Sequence, residues 1–195
     1  MPTDPNGPDG ASPVTAAPRS ASAPSRRPRP IVLVLLVGIA AVVATADQVV
    51  KARVVAALPE DVPIHVIGDL LIFRRVANPG AAFSLATGAT WIFSIIAVAV
   101  VVFLVWFARR IRSVAWGVLF GLLLGGTLGN LIDRLTRPPG FGVGHVVDFI
   151  LVPWLLPAIF NLADTAIVTS MCLFVLLTLL GRGIDGSRRT GKAAD

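Results

Sequence analysis

The sequence predicts an all-α integral membrane protein, with four transmembrane helices and a small membrane-surface β-sheet in its first outer segment. Hydrophobic residues make up 55% of the 195 residues and charged residues only 14%, far too apolar a balance for an ordinary soluble domain. Four apolar runs each approach the ~20 residues needed to cross ~30 Å of hydrocarbon. Lipid offers a spanning backbone no partners but its own, so each run is expected to be a helix.

Residues 1–29 hold Pro, Ser, Ala, Gly and Arg with little to bury, and are expected to form a disordered cytoplasmic tail. The first helix is placed at about 31–51. With arginines before it and Ala44-Thr45-Ala46 inside it, its apolar part also imitates a cleavable signal peptide. The polar residues just beyond favour a retained anchor. The first outer segment, 54–90, contains two short β-prone stretches at 63–68 and 69–73 broken by turn residues, which suits a small sheet at the membrane surface.

Helices two and three are placed at 91–108 and 114–133. The third carries Gly117, Gly121, Gly125 and Gly129 at a spacing of four, a strip along one face that permits close helix contact; chance in a glycine-tolerant membrane helix is the plainer reading. The second outer segment spans 135–157 and the fourth helix 158–180. Residues 182–195 form a basic tail, expected to be disordered.

Seventeen Lys and Arg against eleven Asp and Glu give a net charge of +6, and placement decides what that charge means. Arg19, Arg26, Arg27 and Arg29 precede the first run, Arg109, Arg110 and Arg112 fill the gap between the second and third, and Arg182, Arg188, Arg189 and Lys192 follow the last. This is a topology signal and not a nucleic-acid patch, and it puts both termini on the cytoplasmic side. Cys172 is the single cysteine and lies inside an apolar run, which excludes an internal disulfide.

With that topology, Asp47 and Lys51 close the first helix, Asn130, Asp133 and Arg134 close the third, and Asn161 and Asp164 open the fourth, all at one membrane level. Spacings of three and four place each set on one helical face. Ionisable groups at the edge of hydrocarbon cost several kcal/mol unless paired or solvated, so their convergence marks a functional site. Ordinary interfacial anchoring is the competing reading for Asp47 and Lys51. It suits Asp164 poorly, since hydropathy places that position about two turns inside an apolar run. Asp148 stands in the apolar stretch 144–150 of the second outer segment. A loop carboxylate and a helix carboxylate at the same depth can share one proton, one acting as base toward water and the other as acid, which is peptide hydrolysis without a metal.

Zinc chemistry lacks its ligands, because His65 and His145 stand far apart with no His-Glu-x-x-His helix. His145 could tune Asp148 or simply be a hydrogen-bonded loop residue. A serine peptidase built from Ser84 and Lys51, a small proton transporter using the same carboxylates, and a structural subunit remain as alternatives.

Four blocks carry a resemblance over residues 31–181: Asp47-Gln48-Val49-Val50-Lys51, Asn78-Pro79-Gly80-Ala81-Ala82-Phe83-Ser84, the stretch from Gly125 to Arg134 reading Gly-Gly-Thr-Leu-Gly-Asn-Leu-Ile-Asp-Arg, and Val147-Asp148-Phe149 with Phe160-Asn161-Leu162-Ala163-Asp164. In this order and topology the chain resembles bacterial lipoprotein signal peptidase, or signal peptidase II. The resemblance implies that Asp148 and Asp164 are a catalytic dyad cutting diacylglyceryl-modified prolipoproteins before the lipidated cysteine. It further implies that Asn78, Asn130, Arg134 and Asn161 surround the dyad and that Asp47 and Lys51 support it, with Gly80 and Asp133 in the same blocks. Lipid-modified precursors and membrane lipid are then the expected partners, with no nucleic acid and no cofactor, in a monomer of the bacterial plasma membrane. Two features depart from the family pattern: a longer amino-terminal tail, and Arg74-Arg75-Val76-Ala77 leading into Asn78.

Overall fold

The computed structural model describes residues 30–80 and 90–188; the amino-terminal tail and Ser84 lie outside the described residues. Along the chain run α1 (Pro30–Ala57), β1 (Ile64–Ile67), β2 (Leu71–Asn78), α2 (Thr90–Ala108), α3 (Val114–Thr136), β3 (Val146–Val152), β4 (Leu156–Phe160) and α4 (Leu162–Leu179). All four helices are long and apolar enough to cross a membrane.

Helix α3 is the pillar of the bundle: 61% of its apolar span is buried, against 22%, 17% and 22% for α1, α2 and α4. Its glycine strip explains why. A Cβ at Gly117 would stand 2.9 Å from Val32, one at Gly121 2.9 Å from the Leu36 carbonyl, and one at Gly125 2.8 Å from the Ala40 carbonyl. The α1 backbone lies directly on that strip, as small residues in membrane helices allow. On the other side, a Cβ at Gly126 would collide with Ala163 and Ile167 of α4.

The four strands form one antiparallel sheet in the order β1-β2-β3-β4. Half of it therefore comes from the second outer segment and not from the first alone. Val147 and Phe149 of β3 pack on Val54 at the end of α1. Strand alternation then turns Asp148 to the opposite face.

Helix α3 runs three residues beyond the expected 133, to Thr136, and three other boundaries differ from the sequence expectation. Helix α1 continues six residues past Lys51, because Val54 has the sheet to pack against. Helix α4 begins at Leu162 and not at 158: Leu156–Phe160 pair with β3 instead, an apolar run whose hydropathy alone does not separate strand from helix. The stretch after Gly181 is folded as far as Arg188, since Ile184 accepts backbone hydrogen bonds from Arg112 and Ser113, and Trp116 Nε1 donates to the Arg182 carbonyl.

Candidate active site

At the end of the bundle beneath the sheet, Lys51 Nζ lies 2.8 Å from Asp47 Oδ2 and 2.8 Å from Asp133 Oδ2, and all three side chains are fully buried. Its third proton goes to Asn130 Oδ1 at 3.0 Å. A buried charge is tolerated only when paired and hydrogen-bonded, and this set meets that condition. Asp133 also accepts from Gln48 Nε2 at 3.1 Å, from Arg137 Nε at 2.5 Å and from the Val147 N–H at 3.2 Å. Asp47 Oδ1 accepts from the Ala163 N–H at 3.0 Å. Gly129 lets this carboxylate approach, since a Cβ there would stand 2.6 Å from Asp47 Oδ2.

Those last two backbone bonds hold the residues preceding Asp148 and Asp164. Asp148 lies within strand β3 and not on a loop, paired with Val76 of β2. Asn78, two residues on, is its diagonal neighbour on the same face, and its Nδ2 donates to Asp148 Oδ2 at 2.7 Å. Asp164 occupies the first turn of α4 and not a position deep in the apolar run. Asn161 caps that helix: its side chain accepts from the Asp164 N–H, and its own N–H donates to Asp164 Oδ2 at 3.1 Å. This reciprocal pair is a capping box.

Asn161 has a second role. Its Nδ2 donates to Asp148 Oδ1 at 2.6 Å and to Asn130 Oδ1 at 3.1 Å, while Asn130 Nδ2 donates to Asp164 Oδ1 at 2.7 Å. One fully buried asparagine thus touches both carboxylates, and a second ties them to Lys51. Burial pushes the Asp148 carboxyl up to about 6, the nearby Asp164 charge adds to the rise, and the amides of Asn78 and Asn161 oppose it.

Gly80 closes the site from above. Its φ of +95° suits glycine, and a Cβ would stand 2.7 Å from Phe93 and 2.8 Å from an Arg134 guanidinium nitrogen. Arg134 lies over the Phe93 ring at 5.2 Å, and its Nη1 is 3.4 Å from the Pro79 carbonyl. The structure therefore gathers Asp47, Lys51, Asn78, Gly80, Asn130, Asp133, Arg134, Asp148, Asn161 and Asp164 at one end of the bundle.

His65 is exposed on β1 beside Gly68 and Asp69. His145 lines a cavity of about 420 Å³ with Arg75 and Arg137, and the side-chain donors to Asp148 are Asn78 and Asn161. Arg74 and Arg75 pair with Asp61 and Glu60. Gln48, Arg137 and Phe93 belong to the network without having been singled out from sequence. Arg137 follows Asp133 by four residues, a helical pair legible in principle; Gln48 meets its partners only across helices. Lys51 directs its ammonium at Asp47, Asp133 and Asn130, so its three hydrogen-bonding positions are all taken up by these partners.

Residues 39–180 match the family described as signal peptidase (SPase) II. The chain is 53% identical over 195 residues to a lipoprotein signal peptidase of Leifsonia xyli subsp. xyli (strain CTCB07), covering 100% of this chain and 90% of that one. It is 46% identical over 173 residues to a lipoprotein signal peptidase of Rhodococcus jostii (strain RHA1), covering 87% and 85%. A bacterial membrane enzyme solved by the in meso method aligns with a TM-score of 0.67 at 29% identity, over 82% of this chain and 94% of that one.

Proposed function

This chain belongs to the signal peptidase II family, and we propose that Asp148 and Asp164 are the catalytic pair with which it cuts diacylglyceryl-modified prolipoproteins just before the lipidated cysteine. The protein is an aspartic-type membrane peptidase that removes signal peptides from prolipoproteins. The observation that carries the dyad is the bridging of both carboxylates by Asn161, through its side chain to Asp148 and its backbone to Asp164.

In this reading the pair works with one proton, as two carboxyls acting as acid and base require. The ionised member takes a proton from water as the water oxygen attacks the scissile carbonyl carbon. The protonated member donates to the carbonyl oxygen, and the proton taken from water later goes to the departing amide nitrogen. In this reading Arg134 and Asn78 hold peptide carbonyls and stabilise developing oxyanion charge. Lys51, Asp47 and Asp133 position the pair without reacting, through the Val147 and Ala163 amides.

Arginine placement supports a chain with both termini cytoplasmic and the site near the outer face of the bacterial plasma membrane. Helix α1 holds Asp47, Gln48 and Lys51, so a folded enzyme needs it retained. Proton transport has less support: α2 carries no charged residue along its length, which leaves a conduction path without a second half.

The test is incubation of purified protein with a lipid-modified precursor and with the same precursor lacking the lipid. The expected result is one cut, placed by product mass immediately before the modified cysteine, in the lipidated precursor alone. Equal cutting of the unmodified precursor, or a cut elsewhere, would refute the assignment.

A further inference from the structure

The end of the bundle away from the carboxylates holds a second built feature. Helices α2 and α4 both lie on α3 and pack little on each other, which leaves a cleft between them. Between their ends lies a cavity of about 630 Å³ lined by Phe107 of α2, Trp116 of α3 and Phe174 of α4. Trp116 stands edge-on to Phe174 with centroids 5.7 Å apart, and its Nε1 is occupied by the Arg182 carbonyl. The aromatic part of the wall is therefore held in place, and Thr178, Gly183, Ile184 and Ser187 line the cavity beside it.

Two arginines line the mouth of the same cavity. Arg110 lies over the Trp106 ring at 4.3 Å and approaches Phe107 at 5.8 Å, an arrangement that presents its guanidinium at the rim. Arg182 lines the same cavity. Neither forms an ion pair among the described residues, unlike Lys51, Arg74, Arg75 and Arg137. Asp185 also lines the cavity, its Oδ1 accepting from the N–H and the hydroxyl of Ser187, so the lining carries two arginines and one carboxylate. The rim keeps a net positive charge, at the level where the apolar spans of α2 and α4 end.

From this cavity we infer a binding site for one anionic phospholipid, its phosphate between Arg110 and Arg182 and an acyl chain in the aromatic cleft between α2 and α4. An aromatic-walled cleft with a cationic mouth matches a molecule that is apolar along its length and anionic at one end. Ordinary interfacial arginines would need no cavity behind them.

Native mass spectrometry of the purified full chain, titrated with phosphatidylglycerol or phosphatidylcholine, tests the site. One phosphatidylglycerol per chain is expected to bind in preference to phosphatidylcholine. Removal of both cations in Arg110→Gln/Arg182→Gln should weaken it about thirtyfold, from the contribution of each basic residue near an anionic lipid. Arg109→Gln, at the same level but outside the cavity, should leave binding unchanged, and Phe174→Ala should weaken it. Soluble glycerol phosphate should not compete. Equal binding of the two lipids, an equal loss in Arg109→Gln, or displacement by glycerol phosphate would each overturn the inference. The unfolding temperature and precursor cleavage of each variant, expected unchanged, exclude misfolding as the cause of a loss.

Discussion

The two ends of the bundle are built on opposite principles. Beneath the sheet, Asp47, Lys51, Asp133, Asn161 and Asp148 are almost completely withdrawn from solvent, and no buried side-chain nitrogen or oxygen among the described residues lacks a partner. At the far end the buried residues are apolar, Leu104, Ala108, Ile111, Trp116 and Leu177, and the arginines stand at the surface. The far end is held by packing, which tolerates exchange of similar volumes. The sheet end is held by a closed set of charges and amides, where removing one partner strands another at a cost of several kcal/mol. The proposed catalytic pair thus stands where the structure has least freedom to relax.

Substitutions sharpen this contrast. The largest kinetic effect is expected from Asp148→Asn, which keeps shape and removes proton exchange. Precursor cleavage should fall by at least about a thousandfold, read by gel mobility, with helical content unchanged. Next comes Lys51→Met, which leaves Asp47 and Asp133 buried without their cation. Destabilisation of about 3–5 kcal/mol is expected in thermal unfolding, whereas Arg110→Gln at the far end should change stability by less than about 0.5 kcal/mol. Similar losses from the two would erase the contrast.

Gly80→Ala should cost about 1–3 kcal/mol through its positive φ and the contact with Phe93 and Arg134. It should appear as roughly tenfold lower kcat/KM, because the displaced groups face the substrate side. The smallest effect concerns pH. Asp148, held up to about 6 against an ordinary 3.8, keeps a proton in the folded protein that the unfolded chain would release. Its contribution to stability therefore falls as pH rises from about 4 through 6, since the native state binds more protons there. Cleavage should decline over the upper part of that range as the pair loses its last proton. Asn78 donates to the ionised form, so Asn78→Ala should move this decline upward by about one pH unit, measured as kcat/KM against pH.

Much of this was legible in the sequence, for reasons that differ by element. Four spans follow from apolar length, and the close contact of α1 with α3 follows from the glycine strip. Helical spacing placed Asp47 with Lys51 and Asn130 with Asp133. Strand β4 was not legible, because Leu156–Phe160 is as apolar as a helix and differs only in where its backbone bonds go. The double role of Asn161 was hidden for the same reason: it is a cap only once the helix is known to begin at Leu162. Placing Asp148 opposite Val76 required the register of β2 against β3, which bulges between Phe73 and Val76.

Asp164 offers the sharpest test, because its capping box would exist whether or not it reacts. The decisive measurement is single-turnover cleavage of a lipid-modified precursor by Asp164→Asn, with thermal unfolding recorded on the same sample. Asparagine can still accept the cap bond, so the account predicts an unfolding temperature close to that of the unaltered protein and a cleavage rate at least about a thousandfold lower. Cleavage near the normal rate in a stably folded Asp164→Asn would contradict it and reduce Asp164 to a helix cap.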